Sequence, residues 1–345
     1  MARYTGIGSV LGVTEEATYG EAAGTSSLIE TPDFKGGAES LDATKEVLRP
    51  EYLDSPALRE GDITVLSESV AGGLTLDPRW NGKAWWAILS HLTGSYSTKT
   101  GSDPYSHTLD FGATVTATAA PENIGLQVTV DRGATTGAVC YRGLKPVSSD
   151  LAFAYNTATT LSTEFMGAQA EATSAISFSE AANNPIMVAP YTNSTQFLSV
   201  GGTDYDVASA SIKFELPRIG VQDIASVVAK APQLDGYAKV SGSFETFSLT
   251  NTTSSQFDTF TAAYRAQTSF AIVYTLKGND GTNDCTLVIT TPKAAIVSNP
   301  MAHVDGPGVQ RVTVEWEGFI DAGTTEYLSR IVLTNSNNLA KGFKA

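Results

Sequence analysis

Leu161-Ser-Thr-Glu-Phe-Met-Gly167 and Val312-Thr-Val-Glu-Trp-Glu-Gly318 read as one strand written twice. In both, apolar and polar residues alternate, a glutamate precedes an aromatic residue, and a glycine sits at the same place in the run. A period of two marks a strand with one buried and one solvated face. Upstream of each copy stands a hairpin with a cysteine. Val128-Thr-Val-Asp-Arg-Gly133 precedes Cys140 and Val273-Tyr-Thr-Leu-Lys-Gly278 precedes Cys285, with seven positions from Gly to Cys in both. On this spacing the two cysteines occupy equivalent places.

Further upstream, Gly73-Leu-Thr-Leu and a helical stretch match Gly242-Ser-Phe-Glu and another. Ala38-Glu-Ser-Leu-Asp-Ala-Thr shares its apolar phase with Ser209-Ala-Ser-Ile-Lys-Phe-Glu. The helical stretches are Trp80–Leu92 and Ser254–Ala266; in the second, Phe257, Phe260 and Tyr264 fall at i, i+3 and i+7. Each half thus reads strand, long loop, strand, helix, hairpin, strand, and an internal duplication is expected. The predicted fold is mainly β: two tandem antiparallel sandwich or barrel units, each with one flanking helix. The predicted boundaries are an N-terminal arm at 1–27, a first unit at 28–172, a linker at 173–196, a second unit at 197–335 and a C-terminal arm at 336–345. A Ser/Thr/Gly/Ala-rich insertion near 95–122 reads as a surface excursion.

Composition narrows the function. Lys+Arg 22 against Asp+Glu 36 gives −14, which argues against a protein that grips nucleic acid by neutralising phosphates. Two cysteines exclude a disulfide scaffold, and 42% hydrophobic residues with only 17% charged ones exclude a disordered chain or a coiled coil. The opening is interrupted by Gly6, Gly8 and Gly12 before Glu15 and Glu16, unlike the apolar core of a signal peptide, and a reducing cytosol is the expected place of synthesis.

Catalytic constellations are sparse. His91, His107 and His303 make no metal-ligand spacing and read as surface or helix-end residues. No G-x-S-x-G elbow occurs. Gly6-Ile-Gly8-Ser-Val-Leu-Gly12 has one residue too many for a dinucleotide loop and no strand before it. Asn279-Asp-Gly-Thr-Asn-Asp284 gathers calcium-type oxygens but reads first as a hairpin turn. Cys140 and Cys285 read as small buried hydrophobes. No catalytic, cofactor or metal residue is assigned.

Assembly is the better use of a repeated acidic β unit. Two long loops, about 45–62 and 217–236, are too apolar to be idle; Leu48, Tyr52, Leu53, Leu58, Ile219, Val221, Ile224, Val227 and Val228 need a surface to cover them. The alternatives are a duplicated β-sandwich binding module, such as a capsid decoration protein or adhesin, and an enzyme on a jelly-roll-like core, which the histidine and motif census disfavours.

The opening Gly6-Ile-Gly-Ser-Val with Glu15-Glu-Ala-Thr-Tyr-Gly20, the element order, and the closing Glu-aromatic-x-Gly strand together resemble major tail tube proteins of long-tailed bacteriophages, in the version with two tube units per chain. The resemblance implies a sandwich or barrel related to the tube of type VI secretion systems. It implies rings of six units, hence of three such chains, stacked into a hollow tube that lets DNA pass without specific binding. Tape measure, tail terminator and tail tip proteins are the implied partners, and the virion tail the implied location. No cofactor, membrane or enzymatic step is implied. On this chain the loops that reach the adjacent ring correspond to about 45–62 and 217–236, giving Leu48, Arg49, Tyr52, Leu53, Arg59, Arg218, Ile219, Asp223, Ile224 and Lys230 as inter-ring candidates. From Pro146 to Ile212 there is no Lys or Arg, while Asp150, Glu164, Glu171, Glu180, Asp204 and Asp206 are present, as suits a wall along which phosphates slide. Glu164 and Glu315 are candidates for the lumen or a ring contact, with a solvated sheet face as the plain alternative.

Overall fold

The computed structural model describes residues 10–23, 34–48, 64–94, 96, 98–113, 124–131, 138–173, 185–189, 197–223, 226–247, 256–280, 283–300, 311–320 and 327–336. Both quoted strands sit in the same surroundings. Thr160–Gly167 lies between Thr64–Leu76 and the second part of Ala138–Ala154. Arg311–Gly318 lies between Lys239–Phe247 and the end of Asp284–Ile296. Leu161, Phe165, Val312, Val314 and Trp316 are buried. The residues between them are mostly exposed, as the alternation predicts.

The two sets of strands are joined edge to edge. Val207–Glu215 pairs on one side with Lys239–Phe247 and on the other with residues 148–154 of the first half. Eight strands therefore form an unbroken antiparallel run: 42–48, 64–76, 160–167, 138–154, 207–215, 239–247, 311–318 and 284–296. The strands Ala138–Ala154 and Asp284–Ile296 also reach out of this run into an outer layer. There the first pairs with Leu126–Asp131 and Gln169–Thr173, and Val10–Glu15 pairs with Leu126–Asp131. The second pairs with Phe270–Asn279 and Ser329–Asn335, and Leu198–Val200 pairs with Phe270–Asn279. The order of pairings in the first half thus recurs in the second.

Gly143 lies between the two parts of its strand. Its φ of +66° is open to glycine, and a Cβ there would stand 2.7 Å from the Ala168 Cβ.

Helix α1, Lys83–Thr93, is buried on every side. It starts three residues after the predicted Trp80 because Gly82 N–H closes a turn onto the Arg79 carbonyl, and it ends at Gly94 in the left-handed conformation. Helix α2, Gln256–Ala266, is one-sided: Phe260 is buried against Tyr205 and Phe244, whereas Asp258 and Arg265 face outward.

Several finer expectations shift. Gly72, not Gly73, is the counterpart of Gly242: Phe165 stands opposite Gly72 and Trp316 opposite Gly242. The adjacent Gly72 and Gly73 hide that one-residue slip from a sequence match. The cysteines are not equivalent, since Cys140 pairs with Thr129 and Cys285 with Gly278. Within the segment read as a loose N-terminal arm, Val10–Glu15 is a sheet strand with Leu11 and Val13 fully buried.

The described part of the insertion is likewise built in. Tyr105–Phe111 pairs with Ser329–Asn335 along its whole length and buries His107, Leu109 and Phe111. Arg330 clamps Asp110 with two hydrogen bonds, of 2.6 and 2.9 Å. His91 and His107 are fully buried, not on the surface, because α1 and this strand are interior; His303 lies outside the described residues.

Candidate functional site

The antiparallel register fixes which side chains share a face, since directly opposed residues project together. Glu164 is opposed to Gly73 and to Ser148, Ser148 to Glu215, Asp150 to Lys213, Lys213 to Ser241, and Ser241 to Glu317. Glu315 is opposed to Ser243. Glu164 and Glu315 therefore lie on one polar face that runs across both halves, and both are exposed. The buried aromatic residues fill the opposite face.

Hydroxyl contacts knit the polar side. Thr75 Oγ1 and Ser162 Oγ are 2.9 Å apart, and Ser211 Oγ and Ser243 Oγ are 3.1 Å apart. Carboxylates outnumber cations there: Asp150, Glu164, Glu215, Glu245, Glu315 and Glu317 share the face with Lys213, Lys239 and Arg311, of which Lys213 pairs with Glu215 and Arg311 with Glu245. Partial burial raises the Asp150 pKa, and the facing Lys213 opposes that rise. The Glu215 contact raises the pKa of Lys213.

The second predicted loop is a hairpin, Arg218–Asp223 with Ser226–Leu234. It folds back toward the first half, where Val228 bridges Glu68 in parallel and the Tyr19 hydroxyl donates to the Lys230 carbonyl. Arg218 is buried at its base and donates to the Pro232 carbonyl at 3.4 Å, so it is a structural anchor rather than a free contact. Asp223 and Lys230 form an ion pair near the tip. Ile219, Val227 and Leu234 remain exposed. Leu48 ends the strand Asp42–Leu48, and nothing is described of its side chain; Arg49, Tyr52, Leu53, Arg59 and Ile224 lie outside the described residues.

Residues 6–318 match the family model described as phage tail tube protein. The chain belongs to that family. No curated protein matches it. The phage tail tube family is one of structural virion tail components and not an enzyme family. Among the described residues, no helix of this tail tube protein is long and apolar enough to cross a membrane.

The tail tube protein also holds a polar cluster that sequence reading missed. Glu15 and Glu16, at and just after the end of the first strand, are both fully buried. Glu15 Oε1 lies 3.1 Å from His91 Nε2 on α1, and the Tyr96 hydroxyl donates to Glu15 Oε2 at 3.4 Å. Glu16 accepts the backbone N–H groups of Gly143 at 2.6 Å and Gly20 at 2.7 Å. Burial nevertheless raises its pKa to about 7, against the lowering effect of those bonds and of Arg142 and Lys145. The cluster ties the first strand to the bend of Ala138–Ala154. Two adjacent carboxylates one residue after the run Val10–Val13 were the available signal, but nothing in sequence identified their distant partners.

Proposed function

We propose that the chain is a two-unit tail tube subunit of a long-tailed phage. Three copies close a pseudo-sixfold ring, and rings stack into a hollow tube through which DNA passes. The observation that carries this reading is the antiparallel run shared by both halves, with the same pairings recurring in each. A sheet that already joins two units edge to edge within one chain is the element a ring needs. On this reading the units begin near Val10 and Leu198, since each of those strands pairs with the hairpin of its own half.

The polar face, with Glu164 and Glu315, lines the bore. Its excess of carboxylates repels phosphate, and Lys213 and Arg311 are held by Glu215 and Glu245, so DNA meets a wall of net negative charge. The exposed apolar residues of the hairpin 218–234 supply the ring-to-ring contact, together with the loop at 45–62. Tape measure, terminator and tip proteins meet the ends of the tube.

Negative-stain electron microscopy of the purified, concentrated protein tests the reading. Hollow tubes or rings with a threefold repeat are the expected result. Monodisperse globular particles under every condition would overturn it in favour of a binding module. Removal of residues 48–60 is expected to leave the chain folded while blocking stacking, and tubes of normal length would refute the role given to that loop.

A further inference from the structure

Within one chain the two halves meet along Val207–Glu215 and residues 148–154, in a register that sets Glu215 opposite Ser148, Phe214 opposite Ser149 and Lys213 opposite Asp150. Each side of this joint has a counterpart at the far end of the run. Asp42 is opposed to Ala71, which places Leu41 opposite Gly72, as Ile212 is opposite Gly242. Leu41 to Thr44 are therefore the counterparts of Ile212 to Glu215. Val297 N–H donates to the Glu315 carbonyl at 3.0 Å, and Ser148 is opposed to Glu164. Residues 297–299 are thus the counterparts of Ser148 to Asp150.

Among the described residues, neither counterpart has a strand on the side where the internal joint is closed. Among the described residues, Asp42–Leu48 pairs with a strand only on its Thr64–Leu76 side. The backbone there alternates. Ser40 N–H points inward to the Gly73 carbonyl at 3.0 Å. The Leu41 N–H is taken by the Glu39 carboxylate at 3.1 Å, and the Ala43 N–H by Asp42 Oδ1 at 2.9 Å. Side chains of the strand's own segment thus satisfy the amides that a neighbouring strand would bind. On the other edge, Val297 uses its N–H inward, which directs that of Ser298 outward. Val297 is also a large apolar residue left 52% exposed.

We propose that copies of this chain join through an antiparallel pairing of Leu41–Thr44 in one copy with residues 297–300 of the next. Thr44 is opposite Val297, Ala43 opposite Ser298 and Asp42 opposite Asn299. The proposal rests on the tube reading and specifies its copy-to-copy contact. The occupant of each edge is a second copy because the two edges are the two complementary sides of a joint the chain already makes with itself. Asp42 and Asn299 replace the Lys213 and Asp150 of the internal joint, with an amide facing a carboxylate and no like charges opposed. The Leu41 N–H finds the Pro300 carbonyl, while the missing N–H of proline thins the pairing at that end.

Opposed residues of an antiparallel pair lie within the Cα separation a disulfide spans, and Thr44 and Val297 are both exposed in the single chain. The full-length double variant Thr44→Cys/Val297→Cys, assembled and mildly oxidised, is expected to give covalent dimers and trimers on a non-reducing gel. The ladder should end at the copy number of the ring. Each single variant is expected to stay monomeric, because Cys140 and Cys285 are buried.

Tubes of normal appearance that do not cross-link would overturn the joint and leave the tube reading intact. Failure of the wild-type chain to form any ring or tube would overturn both. A double variant that fails to assemble transfers the decision to hydrogen exchange on the wild type. Exchange at the Leu41 and Ala43 amides is expected to slow at least about tenfold on assembly, whereas equal exchange in free chains and tubes would refute the pairing.

Discussion

Alanine at Gly242 and at Gly73 separates the register seen in the structure from the one a sequence match suggests. A Cβ on Gly242 would stand 2.5 Å from the Ser211 carbonyl oxygen and 2.6 Å from Trp316 Cζ2. The first is backbone of a paired strand, and the second belongs to a fully buried ring whose Nε1 donates to the Tyr274 hydroxyl at 3.1 Å. Neither can retreat without disturbing the sheet or the core. A Cβ on Gly73 would meet nothing closer than the Thr163 carbonyl oxygen at 3.4 Å. Overpacking of a buried site typically costs about 1–3 kcal/mol, and the backbone clash puts Gly242→Ala at the upper end, roughly 3 kcal/mol. Gly73→Ala is expected within roughly 0.5 kcal/mol of wild type. Urea unfolding of the unassembled chain, followed by tryptophan fluorescence, reads both: the midpoint falls for Gly242→Ala and holds for Gly73→Ala, with slopes unchanged. Equal losses in the two variants, or no loss in Gly242→Ala, would refute the register argument.

Glu16 offers a pH test. Burial raises its carboxyl from 4.5 to about 7, so between those values the folded chain keeps a proton that the unfolded chain gives up. Its contribution to stability is fully present below about pH 4.5 and is lost as the pH rises through 7, with an upper limit of about 3 kcal/mol. Glu16→Gln removes that dependence, so its melting temperature should gain on wild type across the window; parallel curves would count against the cluster as described. The cysteines should be inert in the folded protein: burial raises the Cys140 thiol and pushes Cys285 up to about 12. A thiol reagent at pH 8 is expected to label both only after denaturation, and rapid labelling of the native chain would contradict their placement.

Strand content and the repeated order of elements were legible in the sequence because alternation is local, and the phase match of Leu41 with Ile212 reproduces their equivalent places in the sheet. The match of Gly73 to Gly242 failed by one residue because composition cannot register which of two glycines faces an aromatic ring. The cysteine match failed because an equal spacing from Gly to Cys says nothing about where a strand pairs. Alternation put Glu164 and Glu315 on the polar faces of their strands, but their sharing one face depends on the joint between 148–154 and 207–215, which no local pattern announces. The burial of Glu15, Glu16, His91 and His107 was likewise invisible, since each depends on residues far away in the chain. The 217–236 segment was read as needing cover, and its Ile219, Val227 and Leu234 are exposed in the single chain. Its β-bridge to the first half, between Val228 and Glu68, joins residues far apart in the chain.

The pairing of Tyr105–Phe111 with Ser329–Asn335 imposes an order of events during synthesis. Leu109 and Phe111 leave the ribosome long before the strand that shields them, so the nascent polypeptide carries an unprotected apolar edge until Ser329–Asn335 emerges. Truncation before Ser329 would strand that edge for good. Closure of this edge therefore waits for a strand more than two hundred residues further on, and a newly made chain has reason to need a chaperone until it emerges.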